Sequence, residues 1–150
     1  MSKPFPLQIL LNLAQEGSDA AAARLGTLNG HDRDMEQRLL LLVDYRNEYT
    51  AHLERIARVG MHSGDWRNYH EFIDKIDAAI VQQRENVAQS KNQVRTGQHQ
   101  WHAQQRKLKS FNTLSQRHSV AERKSEARLE QKEQDDFALR GFLGGRALPG

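Results

Sequence analysis

Cysteine is absent from this chain of 150 residues, and proline occurs only three times. Without cysteine the protein has neither a disulfide framework nor a thiolate site. Long apolar runs are also missing, because no stretch approaches the roughly 18 consecutive apolar residues of a membrane-spanning helix. The opening residues, MSKPFPLQILLNLAQEG, contain one lysine and no small-residue cleavage motif. We therefore expect neither a signal peptide nor a membrane span, and we expect the protein in the cytoplasm.

Signals for catalysis are scarce as well. The segment GFLGG lacks the lysine and the preceding strand of a phosphate-binding loop. His99 and His102 lie one helical turn apart, but no nearby carboxylate or cysteine completes a metal site, so we interpret them as surface histidines. Serine, histidine and aspartate are scattered, without the concave site that catalysis needs. We predict that the protein is not an enzyme and has no cofactor and no metal.

The composition is typical of exposed helix. Hydrophobic residues make up 37% of the chain and charged residues 27%, and Leu, Ala, Gln, Glu, Arg and Lys dominate, as in long helices and coiled coils. Residues 84–124 contain nine Lys or Arg against two Glu, whereas residues 125–136 contain five acidic residues against two basic ones. The basic segment has three interpretations. A solvated helical face comes first, a site for an acidic protein second and a nucleic-acid site third. Nucleic acid ranks last, because the aromatic residues there, Trp101 and Phe111, occupy the periodic core positions described below.

The first third of the chain carries a seven-residue apolar repeat. Steps of four and three residues alternate without a slip over seven heptads, and only three of the fifteen positions are polar. A sustained repeat of this kind predicts a coiled-coil helix. The run LLLLV at residues 39–43 belongs to this helix, so it is neither a strand nor a membrane segment. The core positions are Leu7, Leu11, Ala14, Ser18, Ala21, Leu25, Leu28, Asp32, Met35, Leu39, Leu42, Arg46, Tyr49, Leu53 and Ile56.

A second helix follows a break in the pattern. Gly60 and Gly64 in VGMHSGDW weaken a helix, and Ser63 or Asp65 can cap the next one. In the second helix an apolar residue recurs at every seventh position, and the core positions between these repeats are mostly small or polar. The apolar repeat is Ile73, Ile80, Val87, Val94, Trp101 and Leu108, and the alternating positions are Ile76, Gln83, Ser90, Gly97, Gln104, Phe111 and His118.

The two repeats match when the second helix folds back on the first. Large residues then face small ones, as close packing requires; Leu28 faces Gly97 and Met35 faces Ser90, for example. We therefore predict an all-α fold, a long antiparallel two-helix coiled coil or helical hairpin, in a single domain. Its parts are helix 1 at about 5–58, a turn at about 59–65, helix 2 at about 66–140 and a flexible tail at 141–150. We expect residues 119–140, the C-terminal extension, to have no intrachain mate and to form either a flexible end or an element that enters a partner.

Four segments of the chain resemble a known family. They are LLVDYRNEY, WRNYHEFIDKIDAAIVQQ, QQRKLKSFNTLSQR and EQKEQDDFALR. Together they look like the flagellar export protein FliJ, over nearly the whole chain. The most specific parts are aromatic strings, Asp44-Tyr45 with Asn47-Glu48-Tyr49 and Trp66 with Asn68-Tyr69 and Phe72-Ile73. Ordinary coiled coils share heptads with this family but lack these strings.

The resemblance implies a component of the flagellar type III export apparatus. Such proteins form an antiparallel coiled coil similar to the central-stalk gamma subunit of rotary ATPases. They bind the ring of the flagellar export ATPase, promote its assembly and activity, couple it to the membrane export gate protein, and handle export chaperones. The implied location is the cytoplasm and, through partners, the cytoplasmic face of the inner membrane, in a role in flagellum biogenesis, chemotaxis and motility. We expect a monomer with at most weak self-association and no nucleic-acid partner.

The resemblance also implies a site for the export gate at the start of the second helix. The family's gate-binding positions correspond here to Phe72, Ile76, Ala79 and Gln83, and the last of these stands where a histidine is familiar in the family. The spacing of these residues puts them on one side of a helix. Tyr45 and Tyr49 of the first helix border the same groove. The alternative is that these residues only thicken the hairpin or pair two hairpins.

A second site, for the ATPase ring, is expected where the second helix outruns the first. We assign it to Leu7 and Leu11 together with Leu129 and Phe137 of the C-terminal extension. Two other functions stay open, a dedicated chaperone of export substrates and a basic nucleic-acid-binding coiled coil. Hydrolysis of ATP by the cognate ATPase, with and without this protein, distinguishes the three.

Overall fold

The computed structural model describes residues 3–146 and the side chains of residues 3–144. Two α-helices make up the fold, α1 at Gln8–Val59 and α2 at Ser63–Arg146, and the described residues contain no strand. The two helices pack against each other in antiparallel fashion. The predicted all-α helical hairpin is therefore confirmed.

Helix α1 begins at Gln8, three residues after the predicted start at residue 5. Pro6 disfavours a helical conformation at Phe5, so the chain makes a turn first, in which the Gln8 N–H donates to the Phe5 carbonyl at 3.1 Å. At its other end α1 is terminated by Gly60, whose φ of 111° suits only glycine without strain. The Gly60 N–H donates back to the Ile56 carbonyl at 3.2 Å, as expected of a helix cap.

Helix α2 is longer at both ends than the sequence predicted. It begins at Ser63, so the turn contains only residues 60–62 rather than 59–65. It continues to Arg146, six residues past the predicted end at about residue 140, and residues 147–150 of the predicted flexible tail lie outside the described residues. The physical reason is that a glycine in a helix costs only about 1 kcal/mol. Neither Gly141 nor Gly144 therefore stops a helix that meets no proline before Pro149.

The chain forms two compact units, unit 1 of Met1–Ser18 with Gln104–Gly150 and unit 2 of Asp19–Ala103. That both belong to one domain stays a prediction. The predicted heptads account for the burial in each unit. Fourteen of the fifteen core positions of α1 are buried or half-buried, and Leu7 is the exposed one. All thirteen core positions of α2 from Ile73 to His118 are buried or half-buried as well.

Unit 2 shows the antiparallel register directly. A β-carbon added to Gly97 would lie 2.8 Å from Leu28 Cδ1, so the predicted pairing of these two residues is found. Farther along, the Ser90 hydroxyl donates to Asp32 Oδ1 at 2.6 Å and the Gln83 amide donates to the Met35 carbonyl at 2.8 Å. Polar groups thus occupy part of the helix interface, and each of these has a partner.

Unit 1 corrects one prediction about the C-terminal extension. Residues 119–140 were expected to have no intrachain mate, but the Lys3 backbone N–H donates to Glu122 Oε2 at 3.3 Å. Just before this segment, the ring of His118 packs 5.6 Å from that of Phe5. The segment before α1 therefore reaches one turn farther along α2 than the heptads indicate. All side chains from Ala127 to Gly144 are exposed, so the uncovered part of the C-terminal extension begins at residue 127.

Candidate docking surface

Four aromatic rings form one cluster in unit 2 near the turn. Tyr49 is central: its ring centroid lies 4.7 Å from that of Phe72, 5.5 Å from that of Tyr69 and 6.3 Å from that of Tyr45. The rings of Tyr45 and Phe72 meet edge to face at 6.3 Å. These separations and tilts lie in the range that aromatic pairs prefer. We call these four residues the aromatic cluster.

Helix geometry explains why the rings meet. Tyr45 and Tyr49 are four residues apart on α1, and Tyr69 and Phe72 are three apart on α2, so each pair occupies one side of its helix. The chain reverses direction directly after Gly60, so the two pairs lie side by side. Because the rings pack against one another, the cluster is ordered without being covered.

The cluster is half open to solvent. Tyr45 is 49% exposed and Phe72 is 37% exposed, whereas Tyr49 and Tyr69 are half-buried. Burial raises the pKa of the Tyr49 phenol, with smaller contributions from Tyr69 and Tyr45. Tyr49 is therefore neutral at physiological pH and presents a hydroxyl that donates and accepts hydrogen bonds.

The four residues expected to bind the export gate differ in their exposure to solvent. Phe72 and Ala79 are exposed, but Ile76 and Gln83 are only 5% and 8% exposed. The Gln83 side chain makes three hydrogen bonds: its amide N–H groups donate to the Met35 carbonyl and to Met35 Sδ, and its Oε1 accepts from Asn86 Nδ2 at 3.1 Å. Ile76 and Gln83 thus support the surface from below, while Phe72 and Ala79 lie on it.

A cleft of about 610 Å³ extends the aromatic cluster toward the turn. Tyr49, Tyr69 and Phe72 form one wall, and the cleft is completed by Ile56, Gly60, Met61, His62, Asp65 and Asn68. Sequence reasoning missed Tyr69 as a site residue and missed the cleft. The three-residue spacing of Tyr69 and Phe72 could have identified the former. The cleft could not be predicted, because it depends on a turn of only three residues. The glycines in this segment did not reveal how short the turn is.

Charged side chains join the two helices at two places in unit 2, one near the cluster and one farther from the turn. Arg46 of α1 forms an ion pair and a hydrogen bond with Asp77 of α2, and this carboxylate raises the pKa of the Arg46 guanidinium. Lys91 pairs with Glu36 and lies 3.5 Å from Asp32. All five side chains are partly exposed, so these contacts contribute more to register than to stability.

The residues expected to bind the ATPase ring all lie in unit 1. Leu7 is 37% exposed and Leu11 is half-buried, whereas Leu129 and Phe137 are 58% and 80% exposed. Phe137 is the most exposed aromatic side chain among those described. Leu139, Phe142 and Leu143 are also more than half exposed, and sequence reasoning did not assign them to the site.

Other kinds of site find no support in the described part of the chain. His99 and His102 are both exposed, and no three His, Cys, Asp or Glu side chains converge as a metal site would require. Neither helix, over the residues described, has an apolar stretch long enough to cross a bilayer. The described residues therefore form an antiparallel coiled coil with an exposed aromatic cluster, a kind of surface typical of protein docking sites.

Comparison with known proteins assigns the chain to a family. Residues 2–147 match the FliJ family, which is described as "Flagellar FliJ protein". The chain is 34% identical to the flagellar FliJ protein of Escherichia coli (strain K12) over 143 residues, which cover 95% of this chain and 97% of that protein. Identity to the flagellar FliJ protein of Salmonella typhi is 33%, with the same coverage. The counterpart from Buchnera aphidicola subsp. Schizaphis graminum is 26% identical over 130 residues, 87% of this chain and 86% of that protein.

This chain belongs to the FliJ family. The resemblance seen in the aromatic strings is thereby confirmed across nearly the whole chain. The family consists of flagellar export proteins and not of enzymes, so the protein is a non-catalytic component of flagellar protein export.

Proposed function

We propose that this protein links two parts of the flagellar export apparatus, binding the export ATPase ring through unit 1 and the membrane export gate through the aromatic cluster. The observation that carries the proposal is the half-open cluster itself. Aromatic residues rarely stay exposed as a group on a protein without a partner, and ring-rich patches dominate binding energy at protein interfaces. The family resemblance implies a coiled coil similar to the gamma subunit of rotary ATPases, and a stalk role in the ring would follow from that similarity.

The gate site consists of a contact layer and a supporting layer. Phe72, Ala79, Tyr45 and Tyr49 form the contact layer, because each has surface available to a partner. Ile76 and Gln83 form the supporting layer, because their side chains are almost wholly buried. Phe72 is the main anchor: it is 37% exposed and already oriented by two tyrosine rings, so little conformational freedom is lost when a partner covers it.

The ATPase site consists of apolar side chains without cover. Leu129 and Phe137 lie on the part of α2 from residue 127 to 144, where every side chain is exposed. Burying one such apolar side chain contributes about 1.5–3 kcal/mol. Leu7 and Leu11 lie in the same unit, at the start of α1. A ring that encloses the C-terminal extension would remove these apolar surfaces from water.

Two further roles rest on the family resemblance alone. One is the handling of empty export chaperones, for which no residues are assigned. The other is the location at the cytoplasmic face of the inner membrane, which the proposal attributes to binding of the gate. With these roles, the protein is needed for flagellum assembly and therefore for motility.

The test measures two activities on one set of variants. Phe72→Ala should weaken gate binding by about 2 kcal/mol, roughly thirtyfold, and leave stimulation of ATP hydrolysis intact. Ala79→Asp should act likewise, because it adds a charge to the contact layer. The matched control is Trp66→Ala, since Trp66 is an exposed aromatic of the same helix that packs against His70 and lies outside the cluster.

Truncation after Glu126 tests the other site. Among the side chains that the structure describes, it removes only exposed ones, those of residues 127–144, so melting should be nearly unchanged while stimulation of the ATPase is lost. Full stimulation by the truncated protein would refute ring binding. Binding of exported subunits with no effect on the ATPase would favour the substrate-chaperone alternative, and steeply salt-dependent binding to any duplex would favour nucleic acid.

A further inference from the structure

Helix α2 presents a basic surface in unit 1 that neither proposed site uses. Between Gln104 and Lys124 there are six exposed Lys or Arg side chains and one carboxylate, that of Glu122. Glu122 is half-buried, and its Oε2 accepts the backbone N–H of Lys3, so this carboxylate lies toward the segment before α1. None of the six cations pairs with a carboxylate of any residue that the structure describes. They are Arg106, Lys107, Lys109, Arg117, Arg123 and Lys124.

Four of these cations share the outer side of the helix. At 3.6 residues per turn, Arg106, Lys109, Arg117 and Lys124 fall within an arc of about 80°, opposite the core positions that face α1. They extend over about 27 Å at 1.5 Å per residue. The next carboxylate on this side is that of Asp135, eleven residues beyond Lys124. We call these four residues the basic face.

We propose that the basic face binds an anionic phospholipid surface directly. A straight row of cations on one side of a helix can approach a plane all at once, and each Lys or Arg near an anionic bilayer contributes roughly fivefold in affinity. The long aliphatic stems of these side chains let their charged ends reach the headgroups while the helix lies flat. This inference goes beyond the proposed function, because it needs no export partner.

The composition of the face favours a lipid surface over an acidic protein helix. A partner helix would need apolar anchors repeated along the contact, in addition to charge. On the outer side of α2 the exposed apolar groups are few. Val120 is 43% exposed, with Ala121 next to it between Arg117 and Lys124, and Leu114 is 42% exposed farther round the helix. A charged plane needs no such repeat, so the basic face meets the requirement of a membrane surface and not that of a coiled-coil partner.

The test is cosedimentation of the full chain with vesicles of 30% phosphatidylglycerol and 70% phosphatidylcholine. Binding should be absent with pure phosphatidylcholine and should be lost in 0.5 M salt, because the Debye length falls to a few Å. The triple variant Arg106→Gln, Arg117→Gln and Lys124→Gln should bind roughly a hundredfold more weakly, at about fivefold for each charge. Since these side chains are exposed, its melting temperature should match that of the wild type.

The matched control removes the same number of charges elsewhere. Arg33, Arg38 and Arg55 are exposed on α1 and pair with no described carboxylate, so their replacement by Gln changes net charge equally. This control should lose only a few-fold in affinity. Equal losses in both triple variants, no binding to anionic vesicles, or binding of polyglutamate but not of vesicles would each overturn the proposal.

Discussion

Gly97 of α2 lies directly against Leu28 of α1, so closely that a β-carbon at position 97 would come within 2.8 Å of Leu28 Cδ1 and 3.4 Å of Leu25 Cδ1. Real β-carbons essentially never approach another atom at the shorter of these distances. The glycine, which on its own weakens the helix, therefore permits the two helices to approach at this point. It is the packing reason that the sequence indicated but could not measure.

Gly97→Ala should leave the free energy of unfolding nearly unchanged. The gain in helix propensity is about 1 kcal/mol, and the displacement of Leu28 should offset it. In a Leu28→Ala background the clash is removed, and Gly97→Ala should then stabilise by about 1 kcal/mol. Chemical denaturation of the four proteins gives a coupling energy, and a coupling near zero would contradict the close approach.

Gly26→Ala is the control for that cycle. Gly26 is within α1, and a β-carbon there meets nothing within 4 Å. Its replacement should stabilise the protein by about 1 kcal/mol irrespective of residue 28. A loss of stability would mean that helix propensity does not govern exposed positions of this hairpin.

Acid should weaken the polar contact between Asp32 and Ser90. The hydrogen bond from the Ser90 hydroxyl lowers the pKa of the Asp32 carboxyl, Lys91 lowers it further, and burial opposes both. A carboxyl with a lowered pKa in the folded state stabilises the fold above its ordinary pKa of about 3.9 and loses that contribution as the pH falls through the lowered value.

The measurement is the thermal melting of wild type and Ser90→Ala between pH 7 and pH 2, which covers the range below the ordinary carboxyl pKa. Ser90→Ala should bring the Asp32 pKa closer to its ordinary value, so the fall in melting temperature with acid should be shallower for the variant. Parallel curves would show that Ser90 does not control the titration of Asp32. Asp34→Asn serves as the control, since Asp34 is exposed on the same helix.

Gln83→Ala should lower stability by about 1–2 kcal/mol, because it removes a buried side chain and its hydrogen bond to the Met35 carbonyl. The exposed neighbour Gln82 provides the comparison, and Gln82→Ala should change stability by less than about 0.5 kcal/mol. Gate binding by Gln83→Ala should fall far less than that of Phe72→Ala, because its amide faces α1. A large loss of gate affinity with unaltered melting would place Gln83 in the contact layer.

A designed disulfide tests the register. The protein contains no cysteine, so Leu39→Cys with Val87→Cys introduces a single possible intrachain bridge. Both positions are half-buried core positions and should come within disulfide reach under mild oxidation. Leu39→Cys with Trp101→Cys is two heptads out of register, about 21 Å along the helix, and should not bridge within one chain. Equal bridging in both would refute the register.

The heptad repeat was sufficient to predict the fold, because apolar residues spaced by four and three dictate which side of each helix is buried. It predicted the pairing of Leu28 with Gly97 and the burial of the core positions. It did not predict where the helices end. Proline at residue 6 delays α1, and the glycines at 141 and 144 do not stop α2, since end positions depend on differences of about 1 kcal/mol.

The aromatic cluster could be predicted only in part. The sequence placed Tyr45, Tyr49 and Phe72 around one groove, and the structure has their rings in contact. It could not distinguish the buried Gln83 from the exposed Ala79, because the two residues lie on the same side of α2 and their directions differ only by a small angle about the helix axis. Tyr69 was missed for a similar reason, since its contact with Tyr49 depends on the length of the turn.

The three-residue turn has a consequence for how the chain folds. Closing so short a loop loses little chain entropy, and contacts near it join residues close in sequence, such as Arg46 and Asp77, 31 positions apart. The contact between Lys3 and Glu122 joins residues 119 positions apart and forms without entropic penalty only after the intervening heptads have paired. Folding should therefore begin at the turn and proceed outward like a zipper. In hydrogen exchange, amides near Leu53 and Ile73 should be the slowest to open, and those at the free ends of both helices the fastest.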